Sequence, residues 1–235
     1  MYLTRFRFNT ARTGARRLLT SPQSLHAAVM SSFAQVPPTP AGQGPRVLWR
    51  VDRNDNAQVL LYIVSPDRPD LTHIVEQAGW PTTGSWDTFA YTPFLERLKA
   101  GDTWSFRLTA NPVHSIRTKD GEPTKRTAHI TARHQIGWLL KQQERGGFAV
   151  CEQPKDLPRV AETDEYQVVV RDRRNLAFGK KNEEGRKAAD VQIATATYDG
   201  RLRIEDADKL RDILTGGLGK AKAYGCGLMT LAPAG

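Results

Sequence analysis

His26 stands in the run Ser21-Pro-Gln-Ser-Leu-His26. Ser21 suits a helix N-cap and Pro22 the first helical position, and Leu25, Ala28, Val29 and Phe33 then recur at helical spacing. His26 follows Leu25 and so lies about 100° around the helix from that apolar stripe, with Gln23 and Met30 on its own face. A histidine beside a buried stripe but outside it has its backbone held by packing while its ring can meet a ligand. Imidazole gives or takes a proton near neutral pH, which suits acid–base chemistry on a phosphodiester. An ordinary surface histidine is the other reading. Arg12, Arg16 and Arg17 shortly before it would hold a phosphate close by.

Two further segments carry groups suited to phosphate. The run Gly216–Gly227 (GGLGKAKAYGCG) holds five glycines together with Lys220, Lys222 and Tyr224. Glycines let backbone N–H groups approach an anion, and the lysines add point charges. The spacing matches neither a P-loop nor GxGxxG, and a tight structural turn remains open. The run Arg171–Lys187 has seven basic and three acidic residues, among them Arg171, Arg173, Arg174, Lys180 and Lys181. It is expected as a long cationic loop between two strands that grips a nucleic-acid backbone, with a plain solvated loop as the alternative. Lys125 and Arg126 extend the same sign.

The composition agrees with a polyanionic partner. Across 235 residues, 34 Lys+Arg against 25 Asp+Glu give a net charge of +9, which points to nucleic acid or an anionic membrane surface. No amphipathic basic helix is evident, which disfavours the membrane. Two cysteines, Cys151 and Cys226, make neither a disulfide framework nor a structural zinc site, so a reducing, cytoplasmic location is expected. Five histidines without an HExxH pairing disfavour a zinc hydrolase, and no metal or cofactor is expected. No stretch is long and apolar enough to span a membrane. Residues 1–50 hold seven arginines and no acidic residue, as a transit peptide does, but residues 2–8 alternate. Tyr2, Thr4, Phe6 and Phe8 fall on one face and Leu3, Arg5 and Arg7 on the other, as in a strand.

These residues need a scaffold. After the strand 2–8 and the helix at Pro22, strands are expected at Val47–Val51 and Val59–Val64, a helix at Leu71–Ala78, a Trp- and Pro-containing loop, and a strand at Thr103–Ala110. That order is strand, helix, strand, strand, helix, strand, a ferredoxin-like arrangement whose sheet also underlies the RRM class of RNA binders. A similar set follows: a helix over Ala128–Glu144, strands at Phe148–Glu152, Tyr166–Arg171, Val191–Tyr198 and, across a turn at Asp199-Gly200, Arg201–Ile204, then a helix at Asp206–Leu214 and a strand at Gly227–Leu231. The expectation is α+β with two tandem ferredoxin-like (RRM-like) domains: an N-terminal domain over 1–115, a linker over 116–127 and a C-terminal domain over 128–235.

Taken together, MYLTRFRFN (1–9), SPQSLHAAV (21–29), FRLTANPVHS (106–115), HQIGWLL (134–140), TYDGRLRI (197–204) and GGLGKAKAYGCGLMTLAP (216–233) resemble the CRISPR repeat-processing endoribonuclease of the type I-E Cascade complex, the CasE family. The resemblance runs nearly end to end, and its tail motif is the most specific part. It implies a repeat RNA stem-loop as substrate, a metal-independent cut by attack of the 2′-OH, and His26 as the catalytic residue. It also implies that the protein, a monomer when free, stays on the guide RNA with the other Cascade subunits. The family often has a tyrosine where Gln23 stands, so Gln23 and Tyr224 are carried as possible catalytic support. A non-catalytic RRM-type RNA binder is the alternative reading.

Overall fold

The computed structural model describes all residues except 36–43, 55–56, 81–85, 117–124, 155, 157–164, 182–186 and 235, and leaves the side chains of 116, 125–126 and 178–191 undescribed. The chain forms two compact units. One comprises Met1–Leu98, Arg211–Leu218 and Lys222–Leu228; the other comprises Lys99–Leu210, Gly219–Ala221 and Met229–Gly235.

The first unit runs β1 (Tyr2–Phe8), α1 (Thr13–Thr20), α2 (Pro22–Met30), β2 (Leu48–Arg53), β3 (Val59–Ser65), α3 (Thr72–Ala78), β4 (Asp87–Ala90) and α4 (Thr92–Arg97). Its sheet is antiparallel with the order β2-β3-β1-β4, the ferredoxin-like topology. The alternation expected in β1 is realised. Thr4, Phe6 and Phe8 are buried, while Arg5 and Arg7 are exposed. Phe6 and Phe8 join Leu25, Val29, Phe33, Trp49, Leu61, Ile63 and Ile74 in one core between sheet and helices. Ser21 caps α2 as its sequence indicates, its side chain accepting from the backbone N–H of Ser24 at 3.2 Å.

Two details differ from expectation. The arginine-rich connection after β1 is itself helical: α1 buries Ala15 and Leu18, a pair three residues apart that forms a short apolar stripe. The strand Thr103–Ala110, expected to close the first sheet, does not lie in it. The fourth place belongs to β4, a four-residue, largely exposed edge strand. It is held by the Arg5–Asp87 ion pair at 2.8 Å and by a hydroxyl contact between Thr4 and Thr88 at 3.0 Å. A segment so short and polar carries no hydrophobic period to read.

The second unit begins with β5 (Thr103–Ala110) and continues through the paired β6 (Val113–Ile116) and β7 (Lys125–Ala128). The helices α5 (Ala132–Leu140) and α6 (Gln143–Gly146) follow, then β8 (Phe148–Val150), β9 (Val168–Lys181) and β10 (Lys187–Ile204). α7 (Ala207–Gly216), which runs across the division between the units, and β11 (Met229–Pro233) complete the order. The sheet order is β11-β5-β10-β8, with β9 also on β10 and all pairings antiparallel. The topology of the first sheet is repeated. Thr103–Ala110 is thus a central strand here, which accounts for its strong strand pattern.

The turn expected at Asp199-Gly200 is absent, because β10 continues through it. Gly200 is needed for closeness rather than for a turn: a Cβ there would lie 2.3 Å from the carbonyl oxygen of Gln167. Asp199 meets Arg107 at 2.6 Å and also pairs with Arg171 across the strands.

Candidate active site

His26 sits midway along α2 and is half-buried. The indole N–H of Trp49, on β2, donates to its Nδ1 at 3.3 Å. Trp49 itself is buried in the core, on the face of β2 that meets α2. Because an indole N–H can only donate, Nδ1 must be the unprotonated nitrogen, and the neutral ring carries its proton on Nε2. Burial also pushes the His26 pKa below the usual imidazole value. Both features favour the neutral imidazole with its proton on Nε2.

The glycine-rich tail reaches the same region. Lys222–Tyr224 form a short 3₁₀ turn that packs against α2 and β2. Gly225 follows at φ +80°, and a Cβ on it would come within 2.7 Å of the Trp49 ring. Farther along, Leu228 offers its carbonyl to Arg50 Nη1 at 2.9 Å. Arg50 is buried and forms a two-point pair with Asp52, at 2.6 and 2.9 Å. β2 is an edge strand, and adjacent residues point to opposite faces. The tail can thus engage Trp49 from one side of β2 and Arg50 from the other.

The remaining predicted residues divide into distinct groups. Gln23 is exposed one turn before His26, and Tyr224 is half-buried on the 3₁₀ turn. Arg16 and Arg17 are exposed on α1. Arg12 instead directs Nη1 to the carbonyls of Val75 and Gly79, at 3.3 and 3.2 Å, closing the C-terminal end of α3. Lys220 is exposed and Lys222 half-buried.

The cationic run Arg171–Lys187 is not a loop over most of its length: residues 171–181 continue β9, and β10 begins at Lys187. Arg173 and Arg174 are exposed on this ribbon, while Arg171 pairs with Asp199. Asp172 has φ +48° at a bulge where Arg171 and Arg174 oppose Thr197 and Thr195. Lys180 and Lys181 fall on β9, and Lys125 and Arg126 on β7. The side chains of these four lie outside the described residues. Among the described residues, no group of three or more His, Cys, Asp or Glu is placed to hold a metal ion, and no helix is long and apolar enough to cross a membrane.

The family model of the CRISPR associated protein matches residues 1–233. The chain belongs to this CRISPR-associated family. It is 29% identical over 235 residues to the CRISPR-associated endoribonuclease Cse3 of Thermus thermophilus, covering 99% of this chain and 100% of the relative. It is 30% identical over 198 residues to the CRISPR system Cascade subunit CasE of Escherichia coli, covering 79% and 88%. A solved structure of CRISPR endoribonuclease Cse3 bound to a 19 nt RNA aligns with a TM-score of 0.77 at 25% identity, over 99% of this chain and 100% of that one.

For this CRISPR-associated protein, sequence reasoning missed Trp49. The alternation of Val47, Trp49 and Val51 marks it as an inward residue of a strand, and all three belong to or pack on the core. Nothing in that spacing reveals that its N–H ends on His26, since the two residues approach only through the packing of α2 on β2.

Proposed function

We propose that this protein is a metal-independent endoribonuclease that binds the stem-loop of CRISPR repeat RNA and cuts precursor CRISPR RNA. The 2′-oxygen bonds to phosphorus as the P–O5′ bond breaks. The 2′ proton leaves and the 5′-oxygen gains one, giving a 5′-OH and a 2′,3′-cyclic phosphate, which the addition of one water opens to a 3′ phosphate. His26 serves this proton movement, with Gln23 and Tyr224 as supporting groups. Arg16, Arg17, Lys220 and the exposed arginines of the β9–β10 ribbon meet phosphates, and Lys125, Arg126, Lys180, Lys181 and Lys222 extend that cationic set. A-form stems are recognised mainly by shape and phosphate contacts, which suits such a surface. The protein is a cytoplasmic monomer when free, and the product stays bound as it joins the other subunits of a type I-E Cascade. His26 lies in the unit that comprises Met1–Leu98, Arg211–Leu218 and Lys222–Leu228.

The observation that carries this reading is a half-buried imidazole fixed by a buried indole on the first helix-covered sheet, in a chain of the CRISPR-associated family. His26→Ala is expected to slow cleavage of a repeat hairpin in EDTA by roughly 10²–10⁴-fold, the usual worth of acid–base help, while binding stays nearly intact. Cleavage unaffected by the change removes His26 from the mechanism. Hairpin binding by the wild type with no cut product favours the non-catalytic RNA-binding alternative.

A further inference from the structure

We propose that Trp49 is the positioning residue of this enzyme: its indole N–H, held in place by Gly225, occupies Nδ1 of His26 and so presents Nε2–H to the RNA. This rests on the reading of His26 as the catalytic group. An imidazole on a helix can rotate about its side-chain bonds and exchange tautomers, and both freedoms blur where its proton lies. A buried donor removes both. Trp49 is 3% exposed and its N–H has His26 Nδ1 at 3.3 Å. Gly225 approaches the six-membered part of the indole so closely that a methyl group would sit 2.7 Å from it. The tail thus acts on the imidazole through an aromatic ring, a role separate from cradling phosphate.

The consequence is that His26 acts on the leaving-group side, its Nε2–H donating toward the 5′-oxygen on which negative charge develops as the P–O5′ bond breaks, while the 2′ proton leaves to solvent. Protonating Nδ1 would turn it into a second donor facing the indole N–H, so the contact opposes the imidazolium. Burial works in the same direction. The charged and titratable groups on elements packed with α2 are Arg16 and Arg17 of α1, His73 and Glu76 of α3, Arg50, Asp52 and Arg53 of β2, and Lys222 and Tyr224 of the 3₁₀ turn. Trp49→Phe leaves all of them in place while deleting the N–H and keeping most of the ring.

The test uses the full-length protein and a repeat hairpin, with ¹⁵N-detected NMR of the histidine rings and single-turnover cleavage. In the wild type, His26 is expected to show an unprotonated Nδ1 and a protonated Nε2 above its titration midpoint. In Trp49→Phe that midpoint is expected to rise by about 0.5–1 pH unit, the equivalent of one hydrogen bond to the neutral form. Single-turnover cleavage at saturating RNA should fall about tenfold, with unchanged affinity for a 2′-deoxy, uncleavable hairpin. Gly225→Ala, checked for folding by circular dichroism, should move the midpoint in the same direction by displacing the indole. An unchanged His26 tautomer and midpoint in Trp49→Phe overturns the proposal. Since that readout needs no cleavage, it separates this failure from the failure of His26 as the catalytic group, which His26→Ala reports.

Discussion

The glycine-rich tail and the β9–β10 ribbon share a sequence signature, basic residues set among glycines, yet they fold in opposite ways. Along the tail, Gly225 through Met229 are all buried, and burial pushes the Cys226 thiol up to about 12. Its glycines admit neighbours: the Trp49 ring at Gly225, and the Leu48 side chain and Lys222 stem at Gly217. On the ribbon, Arg173, Arg174 and Asn175 are exposed, at a bulge that turns the strand. The difference lies in the company the charges keep. Leu218, Cys226, Leu228 and Met229 give the tail apolar surface to bury, whereas the stretch Arg171–Asn175 offers none. A glycine beside a lysine thus encodes packing in one place, and charge alone encodes a surface in the other.

The sharpest way to break this contrast is at the tail's buried anchor. Asp52→Ala leaves the Arg50 guanidinium, 1% exposed, without its carboxylate while it still holds the Leu228 carbonyl. The expected loss is about 3–5 kcal/mol of stability, because a buried charge loses its carboxylate. The additional change Arg50→Met should restore part of it. Urea unfolding of the single and double variants checks both. A double variant no more stable than the single one would show that the Leu228 hydrogen bond, rather than the stranded charge, dominates.

The ribbon should behave in the reverse manner. Arg173→Ala with Arg174→Ala is expected to leave unfolding within about 0.5 kcal/mol of wild type, as for most exposed positions. The ion pair that Arg174 makes with Asp172, at 3.7 Å, is itself exposed and worth little. Hairpin affinity should fall, and the slope of log affinity against log salt should flatten by about 1–2, roughly one for each phosphate no longer neutralised. Filter binding across a salt series measures it. A large drop in stability with an unchanged slope would place these arginines in the architecture instead.

The same contrast explains what could be read in the sequence. Strands with a buried face and helices with a full apolar stripe were legible: β1, α2, β2, β3 and the core residues they contribute follow from period alone. The short edge strand β4 was not, because pairing with β1 rather than its own hydrophobicity fixes it. The stretch after Arg171 on β9 read as a loop because its described residues, 171–177, include no buried position and so carry no alternation, and the turn read at Gly200 was close strand packing. In the candidate site, His26 and its helix stood out in the sequence, but the Trp49–His26 contact did not, since it joins two residues that only the packing of α2 on β2 brings together. Arg12 illustrates the converse: one arginine among three looks suited to phosphate, yet its guanidinium closes the end of α3.

The smallest effects lie within the tail itself, where its two lysines differ. Lys220 is exposed and Lys222 half-buried. A Cβ on Gly217 would lie 2.8 Å from Lys222 Cε, and one on Gly227 would lie 3.3 Å from its Cγ. Both glycines therefore make room for the Lys222 stem, whose methylenes gain by leaving water even if its ammonium does not. Lys222→Ala is expected to cost about 1 kcal/mol, the burial of one or two methylenes, and to lower the melting temperature measurably. Lys220→Ala should leave melting unchanged and flatten the salt slope by about 0.7–0.9, the share of a single phosphate. If instead Lys222→Ala left melting unchanged, its stem would count for nothing and the lysine would act only through its charge, as the ribbon's arginines do. The division between packed tail and binding surface would then run between Lys222 and Gly225, only three residues before the glycine that seats Trp49.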